Sequence, residues 1–499
     1  MKIGILYICF SFICLLCQSQ NWLRTYPIGN FAVEAYDHGM FIGAGNSSSI
    51  LNKTDINGNI IWQRKIGNGD ATINGICASK DGGATILGNI SQGGISNLFL
   101  LKLNKCGENE WRKIYELPNV NWYSDNVIQM KDDGYVFCFH YIKDGKNNSG
   151  GVLKTDKNGN VNWRYYPDNN ITPESITIDN NDNTIITGNY DFNYGPPHNQ
   201  PSANIYVTLL DSNGNRKWES LQMDYTNIGT KTLPCSGKGF ITVANDIYSF
   251  PETTGLYLYF WDSAGHETGS QPIPDGVINN YPKDIVMNKD STYVIISQRS
   301  NELTGKYDSM RVLKIGKKGN LLKQAHFSGN GYEMFPYKIS ATSDSKFLII
   351  GDEIWGGKYI GEFIMKLNSN LDVDSFSSHK YNYDSLCTST IVDTGSITLI
   401  GASVKNLGTY DVDQKDERIT IYPNPAKDYF NINGMNLESY LITLSIFDIS
   451  GRIISNYQFM PDGFGKLDKK MSNLSLLKGC YIIVLSQNGF KWNKKLIIE

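Results

Sequence analysis

The residues able to do acid–base, metal or nucleophilic chemistry are scattered along this chain. His38, His140, His198, His266, His326 and His379 include no HExxH and no pair at metal-ligand spacing, so each reads as a surface or turn residue. Three segments beginning at Asp55, Asp156 and Asp211 share the pattern Asp-x-Asn-Gly-Asn, which has the alternating oxygens of a calcium loop. The glycine comes too early for such a loop and no glutamate follows at the twelfth place, so they read as turns in which aspartate caps its own backbone. There is no Gly-x-Ser-x-Gly elbow and no phosphate loop. Glu34, Asp352 and Glu353 are available as paired carboxylates for glycoside hydrolysis, but no motif singles them out. Trp122, Tyr123, Tyr190, Tyr194, Tyr332, Trp355 and Tyr359 lie in or near connections of variable length. They read either as loops packing on a scaffold or as a stacking platform for carbohydrate or peptide, with Trp122, Tyr190, Tyr194 and Trp355 the candidate ligand face.

A repeat must position these residues. Turn glycines Gly58, Gly107, Gly159, Gly214, Gly265 and Gly319 recur at a period of ~50 residues, the size of one propeller blade. The segment Leu367 to Leu371 stands where a seventh would fall, and the first four glycines are each followed by Trp62, Trp111, Trp163 or Trp218. In the second unit Ile76 to Ser79 turns at Lys80-Asp81-Gly82-Gly83 into Ala84 to Gly88; Leu98 to Leu103 then turns at Asn104 to Gly107 into Glu110 to Ile114. That makes four antiparallel strands, A to D, per unit.

The first hairpin recurs eight times, the last spanning Ser389 to Ser403 around Asp393-Thr394-Gly395. Asn21 to Tyr26 reads as an isolated strand D that completes this last unit. The fold expected is therefore all-β, an eight-bladed β-propeller closed by its N-terminal strand, with a seven-bladed ring as the alternative. Both tight turns of every blade must lie on one face of the disc. The variable connections, the longest being Tyr190 to Pro201, lie on the other, the expected binding surface.

The two ends carry different information. Met1-Lys2 followed by the apolar run Ile3 to Leu16 is a secretory signal peptide by pattern, with cleavage expected between Ser19 and Gln20; Leu16 argues against a lipoprotein signal at Cys17. No other stretch is long and apolar enough to span a membrane, so the mature chain is expected to have no transmembrane segment. A net charge of −3 provides no basic footprint for nucleic acid. Six cysteines, Cys77, Cys106, Cys138, Cys235, Cys387 and Cys480, remain after the signal. Their irregular gaps favour buried small hydrophobes over a disulfide framework.

Leu153 to Trp163, Leu-Lys-Thr-Asp-Lys-Asn-Gly-Asn-Val-Asn-Trp, resembles the tryptophan-docking repeat of quinoprotein-dehydrogenase-like eight-bladed propellers. The resemblance implies an indole packed between neighbouring blades. The quinone enzymes of that superfamily use a vicinal disulfide and a calcium-binding acidic cluster. No Cys-Cys pair exists here, so no cofactor is expected.

After Val404 the repeat stops. Asp411 to Arg418 is charged and glycine-free, and seven short alternating segments from Ile419 to Ile498 suit an immunoglobulin-like β-sandwich. Four blocks stand in order: Ile421-Tyr422-Pro423-Asn424-Pro425-Ala426, Ile446 to Arg452 with Gly451, Leu476 to Tyr481 with Gly479, and Lys494-Lys495-Leu496-Ile497-Ile498. Together they resemble the type IX secretion system C-terminal sorting domain of the Bacteroidetes. That family implies recognition by the type IX translocon and delivery to the medium or the cell surface outside the outer membrane. Taken singly, Pro423 and Pro425 fix an extended entry, Gly451 and Gly479 suit turns, and Tyr481 begins a buried strand.

The organisation expected is residues 1–19 signal peptide, 20–404 propeller, 405–417 linker and 418–499 sorting domain. The function expected is an exported, non-enzymatic binding or adhesion protein with a possible carbohydrate or protein ligand on its loop-bearing face. The alternative is an exported enzyme degrading polysaccharide or peptide, with its active site at the propeller axis.

Overall fold

Each ~50-residue repeat folds as one antiparallel four-stranded sheet, because two tight turns reverse the chain within it. The computed structural model describes residues 21–499 apart from 27–29, 46–48, 93–94, 117–120, 144–145, 168–170, 193–201, 223–226, 236–238, 247–254, 275–279, 301–306, 328–331, 356–357, 380, 382, 384–395, 398–402, 407–418, 435–440, 449–451, 463–465, 473–475 and 488–489. Among these residues no helix is long and apolar enough to cross a membrane. Contacts divide the chain into two units, Met1–Asn406 and Leu407–Glu499.

The first unit holds seven such sheets among the described residues. Their first strands, A, are Phe31–Glu34, Ala71–Ala78, Asn121–Gln129, Ile171–Ile178, Asn227–Pro234, Asn280–Met287 and Tyr332–Ala341 in blades 1 to 7. Strands A of successive blades touch one another, and that of blade 7 touches that of blade 1, so they line the axis of a closed ring. The blade count corrects the leading expectation of eight. Leu23–Tyr26 pairs antiparallel with Lys358–Leu367, Leu23 opposite Met365, and so completes blade 7 rather than an eighth.

The segment expected as the last hairpin does something else. Its turn lies outside the described residues, but Ser396–Ile397 pairs parallel with the outer strand of blade 1 and Ser403–Asn406 with that of blade 2. An outermost strand offers a row of unpaired amides to any extended segment that passes it. Strand-like alternation at Ser396 to Asn406 therefore marks an edge strand as readily as a hairpin. Pairing also runs to Asn406, two residues beyond the expected end of the propeller.

What joins one blade to the next is the glycine–tryptophan repeat. Alternate side chains of strand D share one face, so Trp22, Arg24 and Tyr26 all reach the blade 1 turn, bonding Ile56 O at 3.0 Å, Asn57 O at 3.0 Å and Gly58 O at 2.6 Å. Arg64 Nε donates to Gly107 O at 2.8 Å, Tyr115 OH to Gly159 O at 2.9 Å and Trp163 Nε1 to Ser212 O at 2.9 Å. A Cβ added to Gly214 would meet Trp163 at 2.6 Å, and one on Gly265 would meet Trp218 at 2.4 Å. These glycines sit at φ +82° and +85°, where other residues are strained. Leu371 takes the equivalent place in blade 7 at φ 61° and is buried.

A second device pins the A–B turns. Lys53, Lys102 and Lys154 are buried, and their ammonium groups reach Asp37, Asp81 and Asp132, the last two at 2.7 Å. Apolar clusters fill the space between blades. The one closing the ring joins Trp22, Leu348, Ile350 and Ile364 of blade 7 to Met40 and Ile42 of blade 1.

The second unit is a β-sandwich. One sheet holds Ile419–Tyr422, Tyr429–Gly434 and Leu467–Ser472; the other holds Ile453–Phe459, Ile442–Asp448, Gly479–Gln487 and Phe490–Ile498, in that order across the sheet. Its core includes Phe430, Ile432, Leu444, Ile446, Ile483, Leu485 and Leu496.

Candidate functional site

The structure separates most of the residues singled out in the sequence. Asp55, Asp156 and Asp211 accept backbone N–H groups two and four residues ahead at 2.8–2.9 Å, so these loops are self-capped turns. Among the described residues no three acidic, histidine or cysteine side chains gather as a metal set. His38 and His379 meet through Tyr381, with ring centroids 5.0 and 4.3 Å from it; His198 lies outside the described residues. Glu34 stands at the tight-turn end, accepting from Ser343 Oγ at 2.9 Å across the junction of blades 7 and 1. Asp352 and Glu353 are neighbours near the opposite end of blade 7, so the three carboxylates form no single site.

Cys106 is disulfide-bonded, a partial correction to the expectation of free thiols, whereas Cys77, Cys138, Cys235 and Cys480 are free. Burial pushes the Cys77 thiol up to about 12, as suits an inert core residue.

Of the aromatics, Trp122 and Tyr123 lie near the start of strand A in blade 3, and Tyr190 near the end of strand B in blade 4. Tyr332 and Trp355 are cross-strand partners in blade 7, and Tyr194 lies outside the described residues. Trp355 and Tyr359 are both about half exposed, at 53 % and 51 %. Tyr337 OH donates to Asp352. Burial raises both groups of this pair, and Asp352 gives back part of its shift to the tyrosine hydrogen bond. Asp352 is directly opposite Glu362, a buried carboxylate; burial first, and then Glu362, push the Tyr359 hydroxyl up. Blade 7 thus presents Tyr337 with its hydroxyl held by Asp352 and, farther along the same sheet, the exposed rings of Trp355 and Tyr359.

A second constellation is visible only once pairing register is known. In blades 2 to 7 strand A carries one extra residue at the same level: Asn74, Asp125, Glu174, Thr230, Lys283 and Tyr337. All six are polar, and strand A lines the axis. Glu174 is exposed between buried Pro173 and Ser175 on a strand otherwise enclosed by neighbouring blades, so its exposure is to the channel. Blade 1 shows no such shift along its described strand A. Bulges of this kind re-aim side chains and gather at functional sites.

Lys283 is the bulged residue of blade 6. It is half-buried and makes no hydrogen bond or ion pair among the described residues, and burial holds its amine below the ordinary range. Its neighbour Asp284 is committed elsewhere, to Lys231 Nζ at 2.9 Å and to Ile339 N at 3.1 Å, which ties blades 5, 6 and 7 together. The sequence did hold a signal for these bulges. Pro173, Pro282 and Pro336 immediately precede three of them, and proline inside a strand marks a bulge because it withholds a ladder donor.

In the second unit the first and last sequence blocks are bound to each other. Asn424 Nδ2 donates to Lys495 O at 2.6 Å and Ile497 N donates to Asn424 Oδ1 at 2.9 Å, while Ala426 N and Glu499 N continue the pairing at 2.8 and 2.9 Å. Pro423 and Pro425 flank this clamp. Tyr481 is buried and its hydroxyl donates to Leu477 O at 2.7 Å; Gly479 begins the same strand, Lys494 and Lys495 lie on the last strand, and Gly451 is outside the described residues.

Residues 420–499 match the family described as the secretion system C-terminal sorting domain. This tail is a type IX sorting domain, and it marks the chain for export to the medium or cell surface through interaction with that machinery. No curated protein matches the chain. Solved structures similar to it include polysaccharide lyase Uly1 (10 % identity, 69 % of this chain and 91 % of that chain, TM-score 0.46). Others are the β-propeller domain of the Trilobed protease from Pyrococcus furiosus (11 %, 70 % and 94 %, 0.42) and a protein of unknown function from Dyadobacter fermentans DSM 18053 (10 %, 69 % and 98 %, 0.43). Likenesses this distant carry no argument about activity.

Proposed function

We propose that this is an exported, non-enzymatic carbohydrate-binding propeller, displayed on the outer face of the outer membrane or released, and that its ligand enters from the loop-bearing end. The observation that carries this is the exposed aromatic group of blade 7. Trp355 and Tyr359 are about half exposed and Tyr337 is 36 % exposed, and Asp352 holds the Tyr337 hydroxyl. Rigidly held aromatic faces suit stacking against the C–H face of a sugar ring. An N-terminal signal cut between Ser19 and Gln20 would bring the chain to the periplasm before the sorting domain acts. Binding of the full chain to immobilised glycans, compared with the Trp355→Ala/Tyr359→Ala variant, tests this. Loss of binding in the variant supports the proposal; glycan binding that ignores both substitutions, or no glycan binding at all, counts against it.

The rival is an exported polysaccharide-degrading enzyme, favoured by one observation. Tyr337 is hydrogen-bonded to a carboxylate whose pKa is raised, an arrangement able to pass a proton. Release of reducing ends or unsaturated products from a bound polysaccharide, abolished in Tyr337→Phe, would establish the rival.

A further inference from the structure

We infer that the channel side of blades 6 and 7 is a subsite for an acidic sugar, with the ligand's carboxylate on the Lys283 ammonium and its ring on Tyr337. The inference rests on the carbohydrate-binding proposal and names a ligand class for it. Lys283 and Tyr337 are the bulged residues of adjacent blades, placed at one level by identical register shifts after Pro282 and Pro336. A half-buried ammonium without a partner among the described residues is an incomplete ion pair, and a carboxylate completes it with a charge-assisted bond. The nearest acid in sequence is unavailable, since Asp284 is held by Lys231 and Ile339 N.

The ring is also polarised. The bulged residue of blade 4 is Glu174, whereas blade 6 offers Lys283 and blade 5 the neutral Thr230 between them. An anionic group entering the channel is therefore drawn to the blade 6 side. Tyr337 is fixed in place by its bond to Asp352, which presents a ring face while the hydroxyl is occupied. A neutral sugar would leave Lys283 without its counter-charge.

The test uses the full chain with oligomers of galacturonate, mannuronate and glucuronate and the carboxyl-reduced counterpart of each, in calorimetric titrations. At least one acidic oligomer is expected to bind about ten-fold or more tightly than its reduced form, a preference lost in Lys283→Met and restored in Lys283→Arg. Lys157→Met, an exposed lysine on a tight turn, should leave it intact. Melting curves of Lys283→Met matching the parent exclude misfolding as the cause; should that variant not fold, Lys283→Gln serves in its place. Equal affinity for acidic and reduced forms, or an unchanged preference in Lys283→Met, overturns the subsite while leaving carbohydrate binding standing. Failure of every oligomer to bind overturns both.

Discussion

Replacing Gly214 by alanine tests the joint that holds the ring together. The new methyl would stand 2.6–2.9 Å from three atoms of the Trp163 indole, distances at which the ring must move. It would also force a side chain into the left-handed backbone at φ +82°, which costs about 1–2 kcal/mol. Displacing a packed aromatic adds about 1–3 kcal/mol, together with strain on the 2.9 Å bond from Trp163 Nε1 to Ser212 O. The expected loss is about 2–5 kcal/mol. Gly69→Ala is the control, since Gly69 has φ +96° but nothing within 4 Å of the added methyl, so it bears the backbone cost alone. Unfolding entropy near 2.1 cal/mol/K per residue means that 1 kcal/mol moves the melting midpoint of a unit this large by only about 1 °C. Guanidinium titration followed by tryptophan fluorescence is therefore the better assay. Gly214→Ala is expected to unfold at clearly lower denaturant than Gly69→Ala. Equal midpoints would refute the docking account, because they would leave only the backbone cost.

Acid should weaken the ring through its turn aspartates. At Asp132, Asp156, Asp211, Asp290 and Asp344 burial opposes the charged form, but lysine ammonium groups, backbone N–H groups and neighbouring hydroxyl or amide groups outweigh it and leave each pKa below its ordinary value. Groups lowered in the folded state contribute fully above the unfolded value and lose that contribution as pH falls through the folded one, so the melting midpoint should be flat from about pH 7 to 5 and drop steeply below about 4. Asn424→Ala removes two hydrogen bonds to the last strand, and amide exchange at Phe490–Ile498 in the full chain should speed up by about ten-fold or more; unchanged protection would show the clamp to be idle. Peptide mapping without reduction should find Cys106 in a disulfide and Cys77, Cys138, Cys235 and Cys480 as thiols. Recovery of Cys106 as a free thiol would contradict this.

The repeat was legible because its parts are local. A turn glycine and the tryptophan four residues later follow from backbone sterics and strand alternation, so the sheet boundaries could be read from spacing, while the docking of the indoles was implied by the resemblance of the repeat. The blade count could not. The choice between a hairpin and two edge strands after Ser389 depends on which sheet edge is free, and that is a property of the closed ring. The axial residues were hidden for a related reason. Asn74, Glu174, Lys283 and Tyr337 are separated by whole blades, and only the pairing register shows that they stand at one level. The aromatics were legible as types but not as a group. The pairing of Tyr332 with Trp355 needed the strand register, while Glu34 turned out to belong to a blade junction.

Export is the claim on which the functional account depends, and one measurement addresses it directly. The full chain and a version lacking residues 420–499 are expressed in the native host, and culture medium, cell surface, periplasm and cytoplasm are each examined by immunoblot and intact mass. The full chain should reach the medium or surface, while the shortened one stops in the periplasm with its propeller folded. Equal delivery of both would contradict the account.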